Sequence, residues 1–162
     1  MYKIINSRQF WDNVTLALNA FEPLVKVLRR ADSDVPSMGW LYGDMEMARN
    51  EIDVNLNHKV KRCRPIGLII DKRWDAKLKS PLHLAGHFLN PFFYFQRKEA
   101  IEKNGAFLGA FTDCLYKIYR NDHEMQDRIS AQLPLYQNKV GSLGRDMAIR
   151  QMKSLSLDPG IS

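Results

Sequence analysis

The sequence predicts an all-α protein, and three observations lead to that prediction. Apolar residues recur at helical spacing along most of the 162 residues. Proline, glycine and asparagine interrupt these stretches at intervals that suit helix ends. No stretch shows the strict apolar–polar alternation of a half-buried strand. The hydrophobic share of 45% is sufficient for a core, and no apolar run reaches membrane-spanning length. We therefore expect an irregular multi-helix domain.

The N-terminal half predicts three helices. The first follows Ser7, a candidate N-cap, and Pro23 is expected to kink or restart it. The second runs from Ser37 to about Asn55. The third runs from about Pro65 to Leu78, because the residue before a proline favours a helix boundary. The apolar stripe of the first helix comprises Phe10, Val14, Ala17, Phe21, Leu24, Val25 and Leu28. The stripe of the third comprises Ile66, Ile69, Ile70, Trp74 and Leu78.

The C-terminal half predicts shorter helices. One covers Pro81 to Leu89, since Ser80 is a good cap and proline suits the first helical position. Another covers Arg97 to Tyr119. A third follows the candidate cap Asn121-Asp122 and continues to about Asn138, and a last one covers Arg145 to Lys153. Residues 154–162 are expected to fray.

The positive charge is concentrated in one segment. The net charge of the chain is +6, and residues 59–79 alone account for the whole excess. Such a segment suits a polyanion such as the DNA backbone, but it also suits an ordinary solvated face, and the charge alone leaves both interpretations open. The candidate DNA-binding residues are Lys59, Lys61, Arg62, Arg64, Lys72, Arg73, Trp74, Lys77 and Lys79.

Candidate catalytic or metal-binding residues are few. His83 and His87 stand four residues apart, but no third ligand is evident, so structural histidines are favoured over a metal site. Asp71 and Asp75 show the same spacing, and their basic neighbours favour ion pairs over magnesium binding. Basic neighbours could lower the pKa of Cys63, although a structural thiol is the favoured interpretation. We expect no metal and no cofactor.

Aromatic residues within and after the basic segment have two interpretations. Trp74 and the run Phe92-Phe93-Tyr94-Phe95 could stack on exposed bases. Core or interface packing is the favoured alternative, because aromatic side chains bury large apolar areas.

Several motifs in a fixed order resemble the plant hAT-transposase-related family. Its arginine-tryptophan-aspartate motif corresponds to Arg73-Trp74-Asp75. Its proline-leucine-histidine motif corresponds to Pro81-Leu82-His83, and its leucine-asparagine-proline motif to Leu89-Asn90-Pro91. Similar segments extend the resemblance from about Phe10 to Lys153. Any one motif is weak, whereas their order and spacing are specific.

The resemblance implies a defined place for the chain in a transposase. Family members resemble a ribonuclease H-like core that is split by a large helical insertion, and an acidic triad in that core binds divalent metal. The segments similar to this chain lie between the triad residues, so the resemblance carries over no catalytic residue. It implies that residues 1–153 form a partial transposase-like helical region with 154–162 as a tail. The tryptophan of the insertion is linked to the DNA end, and Trp74 is its candidate match.

Two functional expectations follow from these observations. The first is a non-catalytic, nuclear fragment of a hAT-type transposase that retains DNA binding through residues 59–79. The second is a helical protein-interaction or self-association module that uses apolar surface and binds no nucleic acid. Neither interpretation involves a membrane.

Overall fold

The computed structural model describes residues 6–34, 37–75 and 80–154. These residues fold into nine α-helices and one 3-10 helix, and they contain no strand, which confirms the all-α prediction. The chain divides into two compact units, unit 1 (Met1–Ser80) and unit 2 (Pro81–Ser162), inside the region 1–153 that the sequence analysis treated as one. Among the described helices none is long and apolar enough to span a membrane.

Unit 1 is built from three helices: α1 (Arg8–Ala31), α2 (Met38–Asn55) and α3 (Val60–Arg73). Unit 2 begins with α4 and contains six shorter helices and the 3-10 helix. They are α4 (Pro81–Leu89), α5 (Pro91–Gln96), α6 (Lys98–Lys103), α7 (Gly105–Ile118), α8 (His123–Gln137), the 3-10 helix Gly141–Gly144 and α9 (Asp146–Ser154). The three tryptophans of the sequence, Trp11, Trp40 and Trp74, all belong to unit 1.

Polar contacts fix α1 and α2 as an antiparallel pair. At one end, the amides of Asn19 and Asn55 each donate to the other residue's backbone carbonyl, at 3.3 and 3.4 Å. In the middle, Lys26 Nζ lies 2.7 Å from Glu51 Oε1. Small and branched apolar residues fill the seam between these contacts, namely Ala20, Pro23, Val27, Ala48 and Ile52.

The other end of the α1–α2 seam contains a buried ion pair. Arg30 Nη1 donates to Asp44 Oδ1 at 2.8 Å, and the Asp44 residue is only 6% exposed. The Arg30 guanidinium also lies 4.5 Å from the ring centroid of Trp40. Burial raises the pKa of Asp44 above its ordinary value even though Arg30 lowers it in part. The ionised carboxylate is therefore costly to bury and depends on Arg30 for compensation.

The apolar stripe predicted for the first helix lies mostly outside the seam. Phe21 is 64% exposed and Leu28 is 57% exposed, whereas the buried residues of α1 come from a second, narrower face. The seam uses small residues on this face because they allow α1 and α2 to approach closely. Pro23 belongs to that face, and α1 continues through it as one helix without a restart.

The third helix begins earlier than the sequence predicted. It starts at Val60 and includes Pro65, because Asn57 and His58 adopt positive φ angles of 54° and 53° and so redirect the chain after α2. The backbone amides of Arg62 and Cys63 then bond to the carbonyl of Lys59, which opens the helix. This turn outweighs the boundary preference of Arg64-Pro65. After Arg73 the backbone continues as a π-helical turn at Trp74 and Asp75.

Unit 2 has an aromatic core in which α4 packs against α7. Phe88 contacts Tyr94 and Phe111, with ring centroids 5.4 and 5.9 Å apart. His87 lies between Phe93 and Phe107, at 4.5 and 5.6 Å. Phe93 and Tyr94 are 5% and 0% exposed, so the core interpretation of the aromatic run is confirmed for these two residues.

A polar network joins α5, α6 and α8 beside this core. The Tyr94 hydroxyl donates to Glu102 Oε1 at 2.5 Å, and Lys98 Nζ donates to the Gln137 carbonyl at 2.9 Å. The Tyr136 hydroxyl donates to the Phe88 carbonyl at 3.2 Å. Burial is the main reason that the pKa of both tyrosines is raised. Both hydroxyls therefore keep their protons and act as hydrogen-bond donors at neutral pH.

Helix boundaries in unit 2 follow local capping signals. Asp122 caps α8 as predicted, because its Oδ1 accepts from Met125 N at 2.9 Å. The single helix predicted from Arg97 to Tyr119 is wrong: the Asn104 side chain accepts from Ala106 N at 3.1 Å and divides it into α6 and α7. Most of the predicted tail 154–162 lies outside the described residues.

We predict that Arg30→Met lowers the free energy of unfolding of unit 1 by about 2–4 kcal/mol, because it leaves the buried Asp44 carboxylate without its partner. The double variant Arg30→Met/Asp44→Asn should recover most of that loss. Urea denaturation followed by circular dichroism measures both effects. Lys26→Met, which breaks the exposed pair with Glu51, is the control and should cost much less. Equal losses in the two single variants would contradict the assigned burial cost.

We predict that stability decreases as the pH falls from about 6.5 to about 4. Burial is the main cause that lowers the pKa of His87 to about 4, and Arg97 adds to it. The unfolded chain thus binds a proton at this histidine at higher pH than the folded chain, and proton uptake favours unfolding within that window. The loss should be on the order of 2–3 kcal/mol. His87→Met should flatten the pH dependence of the urea midpoint, whereas the exposed His123→Gln should not. An unchanged slope in His87→Met would exclude His87 as the titrating group.

Candidate nucleic-acid interface

The basic segment of the sequence forms an exposed helix of unit 1. No residue of α3 is buried, and its inner side rests on the rest of unit 1 through half-buried residues, namely Cys63, Ile66, Gly67, Ile70 and Asp71. Ile69, which the sequence placed in the core stripe, is 64% exposed. Six candidate residues are exposed at or within α3, and we call them the α3 cations: Lys59, Lys61, Arg62, Arg64, Lys72 and Arg73.

The α3 cations occupy one half of the helix circumference. At 3.6 residues per turn, Lys61 and Lys72 fall on nearly the same line along the helix, roughly three turns apart. Arg62 and Arg73 form an adjacent line, and Arg64 lies on the other side of Lys61. The helix thereby displays positive charge along about 20 Å of its length.

Apolar side chains lie between the α3 cations. Leu68 is 59% exposed and Ile69 is 64% exposed, and Pro65 is exposed on the same half of the helix. The outward surface of α3 thus has a basic group near each end and an apolar patch between the two. Such a surface suits a partner whose charged groups are separated by less polar groups.

Acidic residues near α3 are used inside unit 1. Asp71 accepts a hydrogen bond from Arg49 Nη1 on α2, which confirms an ion pair for this residue, although with Arg49 and not with its neighbours in sequence. None of the α3 cations forms an ion pair with another described residue. Their charge is therefore available to an external anion.

A cavity of about 310 Å³ lies between α2 and α3. Arg49 and Arg64 line it together with Asp53, Asp71 and Cys63, so the lining as a whole carries little net charge, while Arg64 itself is exposed and forms no ion pair with a described residue. The basic neighbours do not lower the pKa of Cys63: partial burial and the carboxylate of Asp53 raise it. The thiol form that results is a weak nucleophile.

Trp74 is placed differently from the cations. It is 9% exposed and packs beside Tyr42, with ring centroids 6.3 Å apart. In this conformation the indole contributes to the interior of unit 1, as the packing interpretation expects. Lys77 and Lys79, the other two candidates, lie outside the described residues.

The two histidines that stand four residues apart in the sequence differ in burial. His87 is 1% exposed and stacked among aromatic rings, whereas His83 lies near the surface of α4. Within the described ranges no three histidine, cysteine, aspartate or glutamate side chains are grouped as metal ligands would be.

Comparisons with protein-family models, with curated proteins and with solved structures give no match. The functional argument therefore depends on the surface of α3 itself. The charge count found its cations in the sequence, but it missed Arg49 and the outward position of Leu68 and Ile69. The helical periodicity alone gave no way to decide which of several apolar residues α2 would cover.

We predict that Gly67→Ala raises the free energy of unfolding of unit 1 by about 0.5–1 kcal/mol, because alanine favours the helix and loses less backbone entropy on folding. The added methyl group would lie 3.5 Å from Arg49 Nη2, an ordinary contact distance. Thermal denaturation tests this. Gly144→Ala is the contrasting control: its Cβ would lie 2.2 Å from the Lys139 carbonyl oxygen, so it should destabilise unit 2. A destabilised Gly67→Ala would show that α2 and α3 pack more tightly than described.

Proposed function

We propose that the protein binds double-stranded DNA through the outward surface of α3. The observation that carries the proposal is the set of six exposed α3 cations, which form no ion pair with described residues. Lys and Arg supply most contacts to phosphate oxygens, and arginine can hold a phosphate with two parallel hydrogen bonds. The proposed binding is electrostatic and largely independent of base sequence.

The dimensions of α3 suit a groove of the duplex. Its 14 residues span about 21 Å, and an α-helix fits the major groove of B-DNA. The cations near the two ends of α3 can reach phosphates, while Leu68 and Ile69, which lie between them, contact sugars. This arrangement favours DNA over a small anion, which would need a concave site.

We infer further that the chain is related to the hAT-type transposases. The order of the Arg73, Pro81 and Leu89 motifs supports the relationship, and an all-helical fold is what the helical insertion of that family requires. In that setting the protein would act in the nucleus as a non-catalytic part, without a metal of its own. Sequencing the genomic reading frame on both sides tests this relationship: flanking catalytic aspartates and glutamate would support it, and unrelated flanking sequence would not.

We predict steeply salt-dependent DNA binding. If three to five phosphates are neutralised, a plot of log K against log salt concentration should have a slope of about −3 to −5. Fluorescence anisotropy with a labelled duplex at several salt concentrations measures it. Reversing Lys61, Arg62 and Lys72 to glutamate should abolish binding at low salt.

A matched triple charge reversal in unit 2 tests whether DNA binding depends on the α3 surface or on the net charge of the protein. Lys117, Arg120 and Arg128 are also exposed, and their reversal to glutamate changes the net charge equally. This control should weaken binding much less. Equal losses would mean that DNA responds to overall charge alone. No binding at low salt would refute the DNA proposal and leave the protein-interaction alternative.

A further inference from the structure

The outward face of α1 is apolar along most of the helix. We call it the outer stripe; its residues are Phe10, Val14, Ala17, Leu18, Phe21, Leu24, Val25 and Leu28. No charged or polar side chain interrupts it on the helix surface. Phe21 is 64% exposed, Leu18 59% and Leu28 57%, while the opposite face of α1 packs against α2. A continuous apolar stripe of this kind marks an interaction surface.

The apolar spacing of the outer stripe is nearly the same when α1 is read from either end, so the stripe can pair with an antiparallel copy of itself. Six of its residues follow a four-three repeat, which returns the same six positions when the helix is turned end to end about a point level with residue 19; Leu18 and Val25 flank this repeat on one side. Phe10 then lies opposite Leu28, and Val14 opposite Leu24. The smallest residue, Ala17, lies opposite the large Phe21, so the space beside Ala17 on one copy accommodates the Phe21 ring of the other.

A parallel arrangement lacks this fit. It would place Phe21 opposite Phe21 and Ala17 opposite Ala17, which crowds one level and leaves a gap at another. It would also align the helix dipoles unfavourably.

The edges of the outer stripe favour the same orientation. Trp11 and Arg29 are both exposed, and they lie on the same edge of α1 near its opposite ends. In an antiparallel pair, Arg29 of one copy approaches Trp11 of the other, which suits a cation–π contact. In a parallel pair Arg29 and Trp11 of the two copies lie about 27 Å apart along the helix axes, so this contact cannot form.

We propose that two copies of this chain associate as an antiparallel, two-fold symmetric dimer through the outer stripes of α1. The proposal goes beyond DNA binding and does not depend on it. Phe10 and Phe21 of the stripe, together with Trp11 at its edge, would bury roughly 300 Å² per copy. With the aliphatic residues the two copies bury about 1,000–1,200 Å² in total, near the lower limit for a specific interface. The dimer should therefore be weak, with a dissociation constant in about the micromolar range.

Sedimentation equilibrium over about 1 µM to 1 mM protein tests the association. A concentration-dependent dimer is expected. Phe21→Glu should raise the dissociation constant at least about 100-fold, because it buries an unpaired charge in each half of the interface. Because Phe21 is largely exposed, this variant should keep its helical circular dichroism spectrum. Leu108→Glu, which changes a 49% exposed leucine of α7, is the matched control and should leave the dimer unchanged.

Disulfide trapping tests the orientation. In a Cys63→Ser/Cys114→Ser background, a mixture of Phe10→Cys and Leu28→Cys proteins should form the mixed disulfide dimer. Phe10→Cys alone should remain monomeric on a denaturing gel, and the reverse pattern would overturn the antiparallel arrangement. A protein that stays monomeric throughout, or a dimer that survives Phe21→Glu, would overturn the interface. Phe21→Glu should still bind DNA, and the α3 triple reversal should still dimerise, so the two proposals can fail separately.

Discussion

The pairing of α1 with α2 decides the rest of unit 1. Asn19–Asn55, Lys26–Glu51 and Arg30–Asp44 fix the two helices in one antiparallel register. That register determines which face of α1 is covered, and it leaves the larger apolar residues outside. It also sets the position at which the chain leaves α2 and turns at Asn57 and His58 into α3. The two candidate surfaces, on α3 and on α1, are both consequences of one seam.

The seam is specified more by polar contacts than by apolar area. Its apolar residues are small, so their burial alone would tolerate sliding of one helix along the other. The Arg30–Asp44 pair removes that freedom, since any shift would leave a charge buried without a partner. Burial raises the pKa of Asp44 even beside Arg30, so the cost of desolvation offsets much of the attraction within the pair.

Sequence analysis succeeded where the deciding signals were local. Ser80-Pro81 and Asn90-Pro91 bound α4 correctly, and Asp122 was identified as a cap because a cap bonds within three residues. It failed where a distant contact decided the result. Periodicity identified the apolar residues of α1, but only the seam with α2 shows that Ala20 and Val27 are the covered ones. The basic segment was found from charge alone, whereas the exposure of Leu68 and the pairing of Asp71 with Arg49 required the fold.

The uneven distribution of aromatic residues gives the protein a built-in pair of spectroscopic reporters. Trp11, Trp40 and Trp74 all lie in unit 1, while four of the six tyrosines lie in unit 2. Indole fluorescence excited at the red edge of the absorption band therefore follows unit 1 alone. Within that signal, Trp40 under the Arg30 guanidinium and the buried Trp74 sense different surroundings from the exposed Trp11. The unfolding of unit 1 can thus be followed in the intact chain without an added label.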